Sequence, residues 1–309
     1  MIVCCGEALI DMIPTTDHLG EHSLKPHAGG AIFNTAIALG RLGIPASFVS
    51  GVSTDLFGKI LLKELHKSNV MTDLVVQSNR PTTLAFVELT NGQANYVFYD
   101  ENTAGRMLDS QNLPTIPDAA KAMYLGGISL INEPAAEFYL ALATREAKRR
   151  VIVVDPNIRS NFINDEPTYR ARLEKLIPHV DILKVSDEDL DWIISDPLPQ
   201  LEKVQILHAR GPKVVVVTRG SDGACAFFGN GQFVEVAAQK VKVEDTVGAG
   251  DTFNAGFLAR LMEDGLLDRS HIKTLKITDL KRALEYGVNV SAITVSRAGA
   301  NSPWNHELE

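Results

Sequence analysis

Cysteine is scarce, and its spacing suits no cross-link: the three thiols are the neighbours Cys4 and Cys5 and the distant Cys225. They form neither a disulfide framework nor a zinc ligand set, and a reducing, cytoplasmic setting is the expectation. Long apolar runs are missing too. A spanning helix needs roughly 18 uncharged apolar residues, and even the run at 285–296 carries Glu285 and Asn289. The amino terminus lacks a basic start, and Glu7 and Asp11 interrupt its first apolar run, so no signal peptide is read there. Positive charge is in deficit, with 30 Lys and Arg against 38 Asp and Glu and a formal net charge of -8. That balance excludes nucleic acid or an anionic membrane as the main partner, because both need a concentrated cationic face. Free nucleotides stay allowed, since a local site can be positive on an acidic protein. Repeats and low-complexity linkers are absent, which argues against two independently folding units.

What is present is an ordinary globular balance of 45% apolar and 22% charged residues over 309 positions, enough for an extensive core. From about residue 119, apolar runs at 122–125, 151–154, 182–185 and 214–217 alternate with helix-period segments around Phe138/Leu142 and Leu173/Leu176/Ile177. Continuous apolar strands separated by helices predict a doubly wound, mainly parallel α/β sheet. The first hundred residues read differently. A strand at 2–5 and a polar stretch at 14–28 precede helices at about 31–42 and 57–67, then alternating segments at 83–87 and 95–99. Alternation predicts strands with one wet face, and Asn91-Gly92 between them is a hairpin signal, so a small antiparallel sheet able to cover a cleft is expected. The chain thus reads as one domain over 1–309 with lid segments at about 12–30 and 80–104.

The most informative stretch runs from Asp245 to Phe257. It follows the strand-like Val241-Lys242-Val243 and leads into a helix with Phe253, Phe257, Leu258 and Leu261 at helical spacing. Gly248-Ala249-Gly250 then sits at a helix amino terminus, where unpaired N–H groups and the macrodipole favour an anion. Asp251, one residue on, is placed to take a proton from an alcohol while those N–H groups stabilise a transferring phosphoryl group. Taken alone, the same residues also serve as a helix cap and a tight turn. Other nucleotide motifs fail: Gly58-Lys59 is followed by Ile60, with Ser53 where a P-loop needs glycine, and no Gly-x-Gly-x-x-Gly follows a strand.

Across Asp245 to Leu258 the chain resembles the PfkB, or ribokinase-like, carbohydrate kinase family. Ala28 to Ala36 is similar to that family's amino-terminal Gly-Gly-x-x-x-Asn signature, and the resemblance extends from Gly6-Glu7 to Gly299-Ala300. It implies a ribokinase-like fold and transfer of the γ-phosphoryl group of ATP to a sugar hydroxyl. Asp251 matches the family's base and Gly248, Ala249 and Gly250 its anion hole. Asp11, Gly29, Gly30 and Asn34 match sugar-holding positions, with Phe98 on the lid strand and Asn157 beside them. Arg159, in Asp155-Pro156-Asn157-Ile158-Arg159, matches an arginine that approaches the phosphate or the sugar; a surface salt bridge is its plain alternative. Lys184-Val185-Ser186-Asp187-Glu188-Asp189 occupies the place of an Asn-x-x-Glu motif that organises magnesium, with Ser186 and Asp189 as the substitutes. Thr218, Gly220 and Gly223 resemble the turn under the nucleotide, and Asn289 falls near the adenine pocket. Asp245, Val247, Ala292 and Gly299 fall where some members bind potassium. For this second group a buried structural turn is the alternative.

The acceptor is read from a few positions. Ala31 stands where ribokinases carry a lysine, which disfavours a phosphorylated acceptor, and Phe98-Tyr99-Asp100-Glu101 offers acids where a carboxylate-binding arginine is expected in ketodeoxygluconate kinases. The segments 82–87 and 245–251 are similar to bacterial fructokinases. The expectation is an ATP- and Mg2+-dependent kinase forming fructose 6-phosphate, and a homodimer through the lid faces Leu84/Phe86 and Val97/Tyr99. A kinase for ribose, ketodeoxygluconate or a nucleoside such as inosine, and a catalytically silent sugar-binding protein, are the alternatives.

Overall fold

Short apolar runs, each too brief for a helix and several of them followed by a helix-period segment, assemble into a nine-stranded sheet. The structure is a computed structural model of the chain and describes all residues except 17, 19, 91, 92, 230 and 309, with side chains left undescribed over 87–96. The amino-terminal part contains β1 (Ile2–Cys5), β2 (Leu9–Thr16), β3 (His22–Gly29), α1 (Ala31–Arg41), β4 (Ala46–Val49), β5 (Gly51–Ser53) and α2 (Leu56–Lys67). Then come β6 (Val70–Met71), β7 (Val76–Ser78), β8 (Leu84–Thr90), β9 (Gln93–Tyr99), β10 (Ala122–Gly126), α3 (Ala135–Glu146), β11 (Val151–Asp155) and α4 (Glu166–Leu176). The remainder comprises β12 (Ile182–Ser186), α5 (Asp187–Ile193), α6 (Gln200–Arg210), β13 (Val214–Thr218), β14 (Ala224–Phe228), β15 (Gln232–Val236), α7 (Ala249–Glu263) and α8 (Ile277–Val295).

The large sheet has the order β15-β14-β13-β12-β11-β10-β1-β4-β6. It is parallel from β6 to β13 and antiparallel at β14 and β15. Alternate residues of each strand feed opposite cores. Ile2, Tyr124, Val153 and Val216 pack with Phe33, Phe253 and Leu284 from α1, α7 and α8. Val3, Leu125, Val154 and Val217 pack with Phe138, Leu173 and Leu207 from α3, α4 and α6 on the other side. Strand β1 pairs with β4 on one side and with β10, much later in the chain, on the other. The strand order therefore reverses between β1 and β10, and the crevice above their carboxyl ends is where ligands bind in open α/β sheets.

The smaller sheet has the order β3-β2-β8-β9. It was expected to be antiparallel, and its two hairpins are, but β2 and β8 pair in parallel, so the sheet is mixed. The polar stretch at 14–28 supplies most of β3 and the end of β2. Asn91-Gly92, expected to turn the β8–β9 hairpin, lie outside the described residues. The hairpin β14–β15 was not anticipated, and the expected strand at Val241–Val243 is irregular chain. Its valines line a cavity instead of pairing in a sheet. No helix among the described residues is long and apolar enough to cross a membrane.

Candidate active site

Gly248 opens α7 in the left-handed region, with φ of 78°. A Cβ there would lie 2.5 Å from the Ala300 Cβ, so both the conformation and the close carboxyl-terminal segment require glycine. The first turn of this helix, Ala249-Gly250-Asp251, borders a cavity of about 500 Å³. Ala249 N donates to the Thr246 carbonyl at 3.2 Å, while the N–H groups of Gly250 and Asp251 have no intrahelical acceptor and carry the positive end of the dipole, which suits an anion.

The same cavity is lined by Asp11 and Phe98 from β2 and β9, Gly30 and Asn34 from the start of α1, Asn157 and Arg159 after β11, and Lys184 from β12. The structure thus brings together residues from both ends of the sequence. Gly30 is the residue before the first turn of α1. Gly29 stands just behind Asp11 and leaves room for its carboxylate. Phe98 packs on Phe162, ring centres 4.6 Å apart, and forms one wall. Asp251 is 8% exposed, and Asn34 Nδ2 donates to its Oδ2 at 2.9 Å. Thr35 Oγ1 donates to the Asp251 carbonyl at 3.1 Å, tying α7 to α1. Burial pushes the Asp251 carboxyl up to about 7; the Asn34 hydrogen bond opposes this, Asp155 adds to it, and Arg159 and Lys184 pull it down. Burial likewise pushes Asp11 up to about 6. A carboxyl near neutrality beside N-terminal N–H groups can take a proton from a hydroxyl whose oxygen attacks a phosphate held at those groups.

Four residues of this region were missed as functional groups in the sequence. Glu7 lines the cavity, accepts from Ala31 N at 3.0 Å and Ser129 N at 3.4 Å, and is raised by burial. Asp155, Asn254 and Tyr124 form a buried polar cluster under α7. An acid ending an apolar strand at the carboxyl edge of a parallel sheet was the readable signal for Asp155. The expected role of Asp100 is corrected. It pairs with Arg106 at 3.0 Å and accepts from Asn132 at 3.0 Å, in a small recess that adjoins the cavity at Glu7 and Ile128 and not on the cavity wall itself. The acids that face the cavity are Glu7, Asp11, Asp155 and Asp251, against the two bases Arg159 and Lys184.

A second cavity, about 920 Å³, lies on the far side of the same helix end. Thr218, Gly220 and Gly223 form one wall, and Phe253, Val288 and Ala292 another. The two cavities share Thr246, Ala249 and Gly250. Asn289, expected at this second cavity, instead faces an adjoining depression with Arg282 and Tyr286, which meets the cavity at Gln239. On α8 it is Val288, Ser291, Ala292 and Val295 that point into the cavity, one helical face away. Asn289→Ala is accordingly expected to change the KM for a nucleotide by less than about twofold, as a partly exposed residue off the cavity wall should.

Ser186 and Asp189 form a capping box at the start of α5, and Asp189 also accepts from Ile158 N at 3.1 Å. Both Asp189 oxygens thus hold backbone N–H groups, and neither Ser186 nor Asp189 lines either cavity, so Asp189 does not fit as a direct metal ligand. Asp245 accepts from Val247 N at 3.0 Å and Gly299 N at 2.8 Å, joining two of the loops expected around a monovalent cation; Ala292 lies on the neighbouring cavity wall. Among the described residues no cluster of three or more His, Cys, Asp or Glu is arranged to hold a metal.

Known proteins resemble this chain along most of its length. A model of the pfkB family of carbohydrate kinases matches residues 1–307. A fructokinase of Rhizobium leguminosarum bv. trifolii is 50% identical over 276 residues, covering 89% of this chain and 84% of the relative. Among solved structures, a fructokinase with bound ATP from Xylella fastidiosa has a TM-score of 0.88 at 26% identity, over 99% of this chain and 96% of that one. The uncharacterized sugar kinase PH1459 from Pyrococcus horikoshii has a TM-score of 0.84 at 27% identity, over 99% and 96%. The large sheet with its flanking helices is the ribokinase-like fold, and the chain belongs to the pfkB family of carbohydrate kinases.

Proposed function

We propose that this sugar kinase transfers the γ-phosphoryl group of ATP to D-fructose, forming fructose 6-phosphate. The observation that carries the reading is the meeting of two cavities at one helix end: Thr246, Ala249 and Gly250 border both, and Asp251 faces the smaller. The smaller cavity takes the sugar. There Asp11 and Asn34 offer oxygen and amide groups to neighbouring hydroxyls, and Asp251 takes the proton of the attacking hydroxyl. The larger cavity takes the nucleotide, with its base against Val288, Ala292 and Val295 and its phosphates reaching the first turn of α7. Arg159 and Lys184 supply positive charge at the transferred group. Magnesium carried by the ATP phosphates would neutralise part of their charge. Asp251 then takes the hydroxyl proton as the oxygen–phosphorus bond forms and ADP leaves.

Four acids against two bases in the smaller cavity favour a neutral acceptor over a phosphorylated or carboxylated one. The similarity to the Rhizobium fructokinase supports fructose among neutral sugars. A panel of fructose, ribose, ketodeoxygluconate and inosine with coupled ADP detection tests the assignment. Fructose is expected to have the highest kcat/KM, and equal turnover of ribose or inosine would reject it. With Asp251 raised to about 7, the base is protonated below that value. The kcat/KM for the sugar is therefore expected to fall as pH drops through about 7, on a limb that Asp251→Asn abolishes.

The smaller sheet is proposed as a lid. The registers place Asp11, Ala85 and Phe98 on one face, toward the sugar, and Met12, Phe86 and Val97 on the other. Val97 and Tyr99 are 45% and 60% exposed on that outer face, which supports a homodimer through the lid; sedimentation velocity tests it. Potassium between the Asp245 and Gly299 loops is a further part of the reading, tested by comparing rates in potassium and in tetramethylammonium salts. The buried, free thiols Cys4, Cys5 and Cys225 accord with a reducing cytoplasm.

A further inference from the structure

Beneath the first turn of α7 lies a buried ion pair. The pairing of Val154 with Leu183 sets Asp155, the last residue of β11, across from Lys184 on β12. Lys184 Nζ donates to Asp155 Oδ2 at 3.0 Å, and the two residues are 6% and 1% exposed. Asp155 is held from two further directions. Asn254 Nδ2, on α7 one turn after Asp251, donates to the same oxygen at 2.7 Å, and Asn157 N donates to Oδ1 at 3.1 Å. Asn254 also reaches the hydroxyl of buried Tyr124 at 2.9 Å. The ammonium lies so close under the helix that a Cβ built on Gly250 would be 3.5 Å from it.

A lysine ammonium rides on a flexible four-carbon stem and has no preferred geometry of its own. Here its place is dictated by a carboxylate whose own position is fixed by β11, α7 and the loop after β11. A buried pair of this kind adds little net stability over a neutral pair of similar shape. Its position at the junction of the two cavities is what gives it a use. We propose that Asp155 is a positioning residue for phosphoryl transfer, acting through Lys184: it holds the ammonium under the anion-binding turn of α7, where it meets the terminal phosphates of the nucleotide. This rests on the kinase reading given above. The charged groups lining the sugar cavity are Glu7, Asp11, Asp155, Arg159, Lys184 and Asp251. Of these, Asp155 raises the Asp251 carboxyl while Arg159 and Lys184 lower it. Neutralising Asp155 therefore also moves the acid limb of kcat/KM to lower pH.

The test uses Asp155→Asn, Lys184→Met and the double variant, with thermal unfolding as a control and calorimetric binding of MgATP and of AMP, which lacks the terminal phosphates. Asp155→Asn is expected to weaken MgATP about tenfold or more, as loss of a fixed charge-assisted contact does, and AMP by less than about twofold. Because the residue acts through Lys184, the double variant should bind MgATP within about twofold of Lys184→Met alone. The double variant replaces the ion pair by a neutral pair, so it provides the comparison even where a single variant with an unpaired charge fails to fold. The proposal is overturned if MgATP and AMP weaken equally, if MgATP affinity is unchanged, or if the two substitutions multiply. A wild-type protein that binds no MgATP and phosphorylates no sugar refutes the kinase reading instead.

Discussion

Replacing Asp251 by Asn is expected to lower kcat by about a thousandfold, within the range that loss of a positioned general base gives, while the Kd for the sugar changes by less than about threefold. The asymmetry follows from how the side chain is held. Asn is isosteric with Asp, and its amide oxygen can keep the hydrogen bond that Asn34 Nδ2 now donates to Asp251 Oδ2. The carbonyl of residue 251 would still accept from Thr35, so the start of α7 keeps its place against α1. Asp11 and Asn34, the other cavity residues proposed to hold the sugar, are untouched. What disappears is the carboxylate lone pair proposed to receive the hydroxyl proton, and no neighbour replaces it. Glu7 lines the cavity, but its oxygens are engaged by Ala31 N and Ser129 N. A coupled ADP assay gives the rate and titration calorimetry the sugar affinity. A variant that keeps more than a tenth of the wild-type kcat would remove Asp251 from the role of base.

The α/β core was legible because parallel strands buried on both faces cannot hide. The runs at 122–125, 151–154, 182–185 and 214–217 became β10, β11, β12 and β13 in their expected places. What local pattern does not encode is which strands become neighbours. The parallel pairing of β2 with β8 joins residues 10–12 to residues 84–86, a contact that no hairpin signal announces. The valines at 241 and 243 misled for a related reason, since alternation shows that a face is apolar but not whether it meets a strand or a cavity. At the site, Gly248 to Asp251 was readable because a helix start and its preceding glycines are local features. Asn289 falls outside the larger cavity because one residue along a helix turns the side chain by about 100°, enough to carry it from the cavity wall at Val288 to the adjoining depression. Asp155 and Lys184 each stood in a quoted motif, yet their pairing depends on the register between β11 and β12. Such pairing belongs to the sheet as a whole.

A second large effect is expected from Asp11, and a glycine makes it testable in two ways. Asp11 reaches the cavity from β2, while the adjacent strand β3 ends at Gly29. Asp11→Ala should raise the KM for the sugar about a hundredfold and leave the KM for ATP within about twofold, since it removes a charged acceptor that can serve two hydroxyls. Gly29→Ala should imitate it without touching the carboxylate. A Cβ on Gly29 would lie 2.2 Å from Asp11 Oδ2, the movable end of a side chain, so the carboxylate swings out of its place rather than the strand. Gly29 is not in the left-handed region, so the backbone itself accepts alanine. The KM for the sugar is then expected to rise by about tenfold or more. The two changes should not add. Once Asp11 is alanine, the extra methyl at 29 meets no carboxylate, and the double variant should match Asp11→Ala within about twofold. Steady-state kinetics on the three variants decides the matter. Additive losses would mean that Gly29 serves the sugar directly, with its own backbone approaching the ligand, and not as the space that Asp11 occupies.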